Sequence, residues 1–364
     1  MFEEVNLAIN NENYTKAKEI LKKLEKDNNS LWIKYYHSLI LEKEGNLKEA
    51  ESNYRQTIKD SIYPEPNLIK LIRDGIERIV KIYHQEKEEK FNQFKTIENS
   101  EDLAVLVLEP VTLDDKKILA PKLANIINID NYTATLQIPT RSWRLYKTGN
   151  LGELNYWQSE FSQVNIPCFC ERIKNINKIE VYQVKYIIQD DDEVIILGDD
   201  DDEKEQEIIF KWGDINNKVQ GLIPIFELIL HLDARSKPQK KKSILDYRQF
   251  YDLHLLSQNL ILRFSDNFYK FDQGLNITNQ EKTSKKKRQV LVHFFAEKLS
   301  DKPLWSDFTL FAQGVILFPE MLKQVDSHIN LFHREENIWD EAFQLYSGLI
   351  FLQSLTKLEP YINP

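Results

Sequence analysis

The chain has 364 residues, of which 42% are hydrophobic, and it carries a formal net charge of −9. A chain of this length is expected to form two or three domains. The negative charge disfavours binding to nucleic acid or to an anionic membrane through bulk electrostatics, although local basic patches can still exist. No apolar run approaches the roughly 20 residues that a transmembrane helix needs. The acidic start lacks the basic region of a signal peptide, so we expect a cytoplasmic protein.

Residues 1–95 predict helices with a repeated spacing. Ala17 and Ala50 lie 33 positions apart, and each is followed four residues later by a large side chain, Leu21 or Tyr54. A small residue lets two helices pack closely, and the residue four positions on lies on the same helix face. Gly45 can adopt the left-handed conformation that ends a helix. The pattern therefore predicts paired helices with Tyr54 packed between them.

This region resembles the tetratricopeptide-repeat (TPR) family. The second repeat matches its pattern near Trp32, Ser38, Gly45, Ala50, Tyr54 and Pro64. It departs from the family pattern in two places. Ser38 stands where the family has a glycine, and Leu41 stands where the next aromatic residue is expected. The resemblance implies stacked helices with a concave face that binds a peptide or a helix. An alternative is that two repeats only dock onto the rest of the chain.

The TPR resemblance also implies a set of partner-binding residues on the concave face. They are Asn10, Asn11, Trp32, Tyr35, Leu39, Glu42 and Arg73. Within this set we expect Tyr35 to be an exposed aromatic anchor and Arg73 a cationic one, because such residues dominate interface energies.

Residues 103–180 predict an α/β segment. "LAVLVLEPV" at 103–111 is typical of a buried strand, "RSWRLYK" at 141–147 predicts a second, and a third begins near Cys168 after a helix. Such a succession predicts βαβ crossovers, and two of them would form a ferredoxin-like fold. Cys168 and Cys170 would share one face of the third strand, and we interpret them as small buried residues rather than metal ligands.

Residues 181–300 predict a β-rich segment. Three strands span 181–212, two more surround Gly221 and Pro224, and a helix follows near 289–300. The arrangement resembles a pleckstrin-homology (PH)-like barrel closed by a helix. Loops with basic clusters at 237–242 and 284–288 could together hold a small phosphorylated or lipid ligand. The alternative is that both are solvated loops.

Residues 301–364 predict helices that pack on the core, and no motif for catalysis appears. His328 and His333 have the spacing H-x4-H, which differs from the H-E-x-x-H motif of zinc enzymes. His254 shares a strand face with Asp252 but has no evident nucleophile. We therefore predict no catalytic residue, no metal site and no cofactor.

Several stretches beyond residue 103 resemble a group of uncharacterised cyanobacterial-type proteins that join a short TPR-like start to a long α/β region. These stretches are "LEPVTLDDKKILAPKLA", "PTRSWRLYKTG", "IPCFCERI", "LYSGLIFLQS" and "VQGLIPIFE". That resemblance implies no known activity and a bacterial, cytosolic setting.

The fold expectation is a multidomain α+β protein. Its ranges are 1–95 (TPR-like), 103–180 (ferredoxin-like), 181–300 (PH-like) and 301–364 (C-terminal helices). The expected function is a non-enzymatic scaffold or adaptor that binds a protein or peptide at the TPR-like groove. The alternatives are a module that senses a ligand at the two basic loops and, third, an enzyme. We expect no nucleic-acid partner and no transmembrane segment.

Overall fold

The computed structural model describes residues 2–27, 30–60, 65–200, 204–232, 238–277, 283–329 and 331–358. The chain divides into two compact units, Met1–Gln93 and Phe94–Pro364. The mixture of helices and two sheets confirms the predicted α+β class.

The N-terminal unit is helical. Its helices are α1 (Glu3–Asn10), α2 (Tyr14–Asp27), α3 (Leu31–Lys43), α4 (Leu47–Lys59) and α5 (Pro66–Lys95). Gly45 has φ +85° in the turn between α3 and α4, a conformation that glycine adopts at low cost. The alanine and the large residue of each predicted repeat are fully buried: Ala17, Leu21, Ala50 and Tyr54.

A three-stranded sheet opens the second unit. Its strands are β1 (Leu103–Leu108), β2 (Arg144–Asn150) and β3 (Cys168–Arg172), in the order β2-β1-β3. Its helices are α6 (Leu113–Ile127), α7 (Asn131–Gln137), α8 (Leu151–Gln163) and α9 (Ile173–Ile176). β1 is antiparallel to both neighbours. β2 and β3 are therefore parallel to each other and connected through α8, which is one βαβ unit.

The predicted βαβ unit from β1 to β2 is wrong, because these two strands are antiparallel. Two helices in succession, α6 and α7, link these strands, whereas a crossover between parallel strands needs one. The chain therefore returns to the end of the sheet at which β1 finishes, and Leu108 pairs with Arg144 at the start of β2.

A seven-stranded sheet follows. Its strands are β4 (Glu180–Asp190), β5 (Val194–Asp199), β6 (Glu205–Phe210), β7 (Asn217–Leu232), β8 (Pro238–Leu255), β9 (Leu260–Ser265) and β10 (Leu304–Trp305). Their order is β10-β7-β8-β9-β4-β5-β6. The β4–β9 and β10–β7 pairs are parallel, so the sheet is not built from consecutive hairpins alone.

The prediction of two separate strands around Gly221 and Pro224 is wrong, because both residues lie within the single strand β7. β10 pairs with β7 only at Lys218 and Val219. Beyond that point β7 is an edge strand, where a proline is tolerated inside a strand.

Four helices complete the second unit: α10 (Ser284–Lys298), α11 (Phe308–Val315), α12 (Pro319–Leu322) and α13 (Trp339–Leu358). On one face of the large sheet, Phe295 of α10 packs against Tyr251 and Phe264. α11–α13 share a hydrophobic cluster with β7, with β8 and with the small sheet. Residues of all three predicted ranges beyond 103 therefore contribute to one core. α13 is buried on every side over residues 342–351, as expected for a helix enclosed by a hydrophobic core.

Candidate functional site

The residues predicted to bind a partner in the N-terminal unit do not share one exposed surface. Asn10, Asn11 and Arg73 are exposed, whereas Trp32 and Leu39 are half-buried. The indole N–H of Trp32 donates a hydrogen bond to Glu65 Oε2 at 2.8 Å.

Tyr35 is not an exposed anchor, and that prediction is wrong. The residue is only 6% exposed. Its ring lies 6.0 Å, between centroids, from the rings of both Trp32 and Tyr54. α3 packs against both α2 and α4, so a residue that faces solvent in a single hairpin becomes part of the core. Tyr35 is therefore a packing residue.

Glu42 is also buried, and its carboxylate is engaged inside the unit. It accepts hydrogen bonds from Arg78 Nε at 2.7 Å, from Arg78 Nη2 at 2.9 Å and from the Tyr54 hydroxyl at 2.9 Å. Burial, and then the charge of Glu42, raise the pKa of Tyr54 far above its ordinary value. Hydrogen bonding to Glu42 raises the pKa of Arg78. Glu42 thus anchors α3 to α4 and α5 and is not available to a peptide.

The second unit has a surface groove with a volume of about 630 Å³. It lies between α6, the segment that connects β1 to α6, the end of α8 and the start of β3, and we call it the α6 groove. Its lining residues are Glu109, Val111, Asp115, Ile118, Leu119, Lys122, Ser162, Asn165, Ile166, Pro167 and Cys168. The sequence did not indicate this site, because its residues come from three separate stretches and match no motif.

The start of α6 sets the shape of the groove. Thr112 caps the helix: its Oγ1 accepts the N–H of Asp115 at 3.1 Å and donates to the Asp115 carboxylate at 2.7 Å. Ile118, one of the lining residues on the same helix, is 59% exposed. The groove therefore combines carboxylates with an exposed aliphatic side chain.

The groove does not contain an activated nucleophile among its described lining residues. Burial raises the pKa of the Cys168 thiol from 9.0 to about 11, and burial also raises the pKa of Cys170. A thiol that stays protonated at neutral pH is a poor nucleophile. The ammonium group of Lys122 donates to the carbonyl oxygen of Val164 at 3.3 Å. This chemistry suits binding rather than covalent catalysis.

A fully buried polar network joins β8, β9 and α13. Arg263 forms two hydrogen bonds with Asp252, Nε–Oδ1 at 2.9 Å and Nη2–Oδ2 at 2.8 Å, and both side chains are 0% exposed. Arg263 also donates to Gln344 Oε1 at 2.8 Å. Ser347 donates to Asp252 Oδ2 at 2.7 Å, and His254 Nε2 lies 2.9 Å from Ser347 Oγ.

The network resembles a catalytic triad in composition but not in arrangement. A triad places histidine between serine and aspartate, whereas here Ser347 lies between His254 and Asp252. All three side chains are inaccessible to solvent. The network is therefore structural. The sequence analysis identified Asp252 and His254 but not the other members of the network, Arg263, Gln344 and Ser347. Arg263 could have been found as the one cation in the otherwise apolar strand "LILRFS".

The tautomer of His254 follows from these hydrogen bonds. Ser347 uses its one proton toward Asp252, so it accepts from His254 Nε2–H, and His254 Nδ1 has no hydrogen-bond partner among the residues that the structure describes. Burial lowers the pKa of His254 from 6.5 to about 4. Between these two values the unfolded chain binds more protons than the folded chain, so stability falls as the pH falls.

We expect acidification from pH 6.5 to about 4 to remove about 3 kcal/mol of stability through His254. His254→Gln can still donate to Ser347 but does not titrate, so it should lack this component. Urea denaturation of both proteins across this range measures the difference. The comparison cancels the opposite contribution of carboxyl groups whose pKa is raised by burial, namely Asp266, Asp340 and Glu341. Parallel pH profiles for the two proteins would contradict the assignment.

Neither predicted basic loop is a loop where the structure describes it. Residues 238–242 begin β8, and residues 284–288 form the start of α10; residue 237 lies outside the described residues. Residues 238–242 form a strand because their backbone pairs with β7. Thr283 caps α10, accepting the N–H of Lys286 at 3.4 Å, and Arg288 forms an ion pair with Asp266.

In the described part of the chain, no group of three or more His, Cys, Asp or Glu side chains is placed to hold a metal ion. Over the same residues, no helix combines the length and the apolarity needed to cross a membrane.

Comparison with known proteins gave no match to a family model, to a curated protein or to a solved structure, so the function must be inferred from the residues of the sites themselves.

Proposed function

We propose that the protein is a non-enzymatic scaffold or adaptor that binds other proteins, with the α6 groove as its principal binding surface. The observation that carries the proposal is a strongly exposed aliphatic residue, Ile118, in the lining of the groove. Exposed aliphatic side chains next to a concave surface are typical of sites that another polypeptide covers.

The charges of the groove define the expected occupant. Glu109 and Asp115 contribute two carboxylates, whereas the single ammonium group, on Lys122, already contacts a backbone carbonyl. A peptide segment with an aliphatic side chain and a nearby lysine or arginine would complement both features. Small-molecule catalysis is less well supported, because the Cys168 thiol is not activated.

The N-terminal unit, as a TPR-like element, also supports the proposed scaffold function. α1–α2 and α3–α4 are two successive helical hairpins in which the alanine of each repeat is buried. Asn10, Asn11 and Arg73 are the exposed members of the predicted groove, and we propose them as a second, smaller contact surface. The ferredoxin-like and PH-like labels for 103–180 and 181–300 are analogies of fold and carry no part of the function.

We expect Ile118→Glu to reduce recovery of co-purifying proteins about tenfold, because the change removes an apolar contact and binding would then have to desolvate a carboxylate. Leu317→Glu is the matched control, since Leu317 is also strongly exposed and lies outside the groove. Quantitative mass spectrometry of proteins captured by the wild type and both variants measures the effect. If a protein were captured by the Ile118→Glu variant but not by the Arg73→Glu variant, its binding site would lie in the N-terminal unit. Equal recovery by all variants would contradict the groove proposal.

The alternative function is the sensing of a small ligand at two basic loops. The two basic segments are not the loops that this function was predicted to use. The two runs belong to a strand and to a helix, and Arg288 of the second run is already paired with Asp266.

A further inference from the structure

The hairpin of β7 and β8 extends well beyond the rest of its sheet. The two strands pair from Asn217 and His254 to Leu232 and Pro238. β9 pairs with β8 only over Phe250–Leu255, and β10 pairs with β7 only at its start. The distal part is therefore a two-stranded ribbon. We call residues 226–232 and 238–244 the β7–β8 arm.

The base of the arm is held by contacts with the segment that precedes α13. Arg334 forms an ion pair with Glu227 at 3.1 Å, and Lys242 donates to the carbonyl oxygen of Glu336 at 2.7 Å. The Lys242 ammonium group also lies 4.6 Å from the centre of the Phe226 ring. These contacts fix where the arm leaves the body of the unit.

Beyond its base the arm exposes aliphatic side chains on both faces. Leu228, Ile229 and Leu230 are consecutive and all exposed, and Leu230 is 78% exposed. Successive residues of a strand point to opposite faces, so Ile229 lies on one face and the two leucines on the other. An isolated two-stranded ribbon is marginally stable in water. Something other than water is therefore expected to cover it.

Cations lie among these aliphatic residues. Lys242 is opposite Leu228 and Lys240 is opposite Leu230, and residues directly opposite in an antiparallel pair share a face. Both lysines are exposed. The described start of β8, 238–242 with the sequence "PQKKK", contains three lysines and no acidic residue. The arm is thus both aliphatic and cationic, in a chain whose net charge is −9.

We propose that the β7–β8 arm inserts its distal end into the interface of an anionic lipid bilayer. Leucine and isoleucine side chains enter the acyl boundary, while the long side chain of Lys240, beyond the base of the arm, reaches the headgroup phosphates. A bilayer covers both faces of an inserted ribbon, whereas a protein lying on one face leaves the other face in water. Nucleic acid would use the lysines but would leave the aliphatic side chains exposed.

The negative charge of the whole chain does not prevent this interaction. Six residues of strand carry the tip about 20 Å beyond Phe226, at ~3.3 Å per residue. In physiological salt the Debye length is about 8 Å, so interactions between charges that lie farther apart are largely screened. The lysines of the arm therefore act on a nearby membrane more strongly than the distant acidic groups of the body do. The inference goes beyond the scaffold function, because it gives the protein a location at which to bind its partner.

The test is sedimentation of the full-length protein with phosphatidylcholine vesicles, prepared with and without phosphatidylserine. We expect binding only to the vesicles that contain phosphatidylserine, weakened by added salt. Leu230→Glu and Lys240→Glu should each weaken it by about tenfold or more, through loss of insertion and of charge attraction respectively. Leu317→Glu, at an equally exposed aliphatic residue outside the arm, should bind like the wild type.

Three results would overturn the proposal. The first is absence of binding to either vesicle by the wild type. The second is binding that Leu230→Glu leaves unchanged, since adsorption by charge alone does not need the aliphatic residue. The third is binding to a DNA or RNA duplex that Lys240→Glu abolishes and Leu230→Glu preserves, which would identify nucleic acid as the occupant. Leu230 and Lys240 are exposed, so loss of folding is not an expected complication.

Discussion

Arg263→Met is expected to lower the free energy of unfolding of the second unit by about 3–5 kcal/mol. Of the partners that the described residues provide, the substitution leaves the buried Asp252 carboxylate only Ser347, and an uncompensated buried charge is strongly destabilising. It also removes the hydrogen bonds to Gln344 and to the carbonyl oxygen of Ser327. Urea denaturation monitored by near-UV circular dichroism measures the loss.

A double-mutant cycle separates the charge effect from the loss of packing. Asp252→Asn removes the charge and can still accept from Ser347, so the double variant Asp252→Asn/Arg263→Met should be more stable than Arg263→Met alone. Lys117→Met is the matched control, because it breaks an exposed ion pair with Asp114 and should cost less than about 1 kcal/mol. A double variant that is less stable than Arg263→Met would show that packing, and not the buried charge, dominates.

Tyr54→Ala is expected to destabilise the N-terminal unit by about 3–5 kcal/mol, because removal of a fully buried ring leaves a cavity. A Cβ on Gly75 would lie 2.8 Å from the Tyr54 ring, so α5 packs directly against it. Tyr54→Phe keeps the ring and loses only the hydrogen bond to Glu42, at an expected cost of about 1 kcal/mol. Hydrogen exchange of α3 and α4 in the full-length protein measures both effects.

Tyr35→Ala provides a second comparison within the same core. If Tyr35 were an exposed anchor, its loss would weaken partner binding and leave stability unchanged. Its burial between Trp32 and Tyr54 instead predicts a loss of protection in α3 and α4 that approaches that of Tyr54→Ala. If Tyr54→Ala and Tyr54→Phe caused the same loss of protection, the ring would not be a core element, and the packing argument would fail.

Local patterns by themselves determined several elements of this protein. The spacing of Ala17, Leu21, Ala50 and Tyr54 indicated close-packed helices, and all four side chains are fully buried. The apolar run at 103–111 indicated a buried strand, and in the structure Val105 and Leu106 of β1 belong to different hydrophobic clusters. These predictions succeed because periodicity within one element reports which of its faces avoid water.

Only the tertiary structure decided which side chains meet across distant elements. Tyr35 and Glu42 looked like groove residues on α3 alone, but packing against neighbouring helices buries them. Ser347 reaches Asp252 although 95 positions separate them, and the α6 groove needs α6, α8 and β3 together. The exposed β7–β8 arm depends on where β9 and β10 stop pairing. The physical reason is that burial and electrostatic pairing depend on distances in space, which local periodicity does not specify.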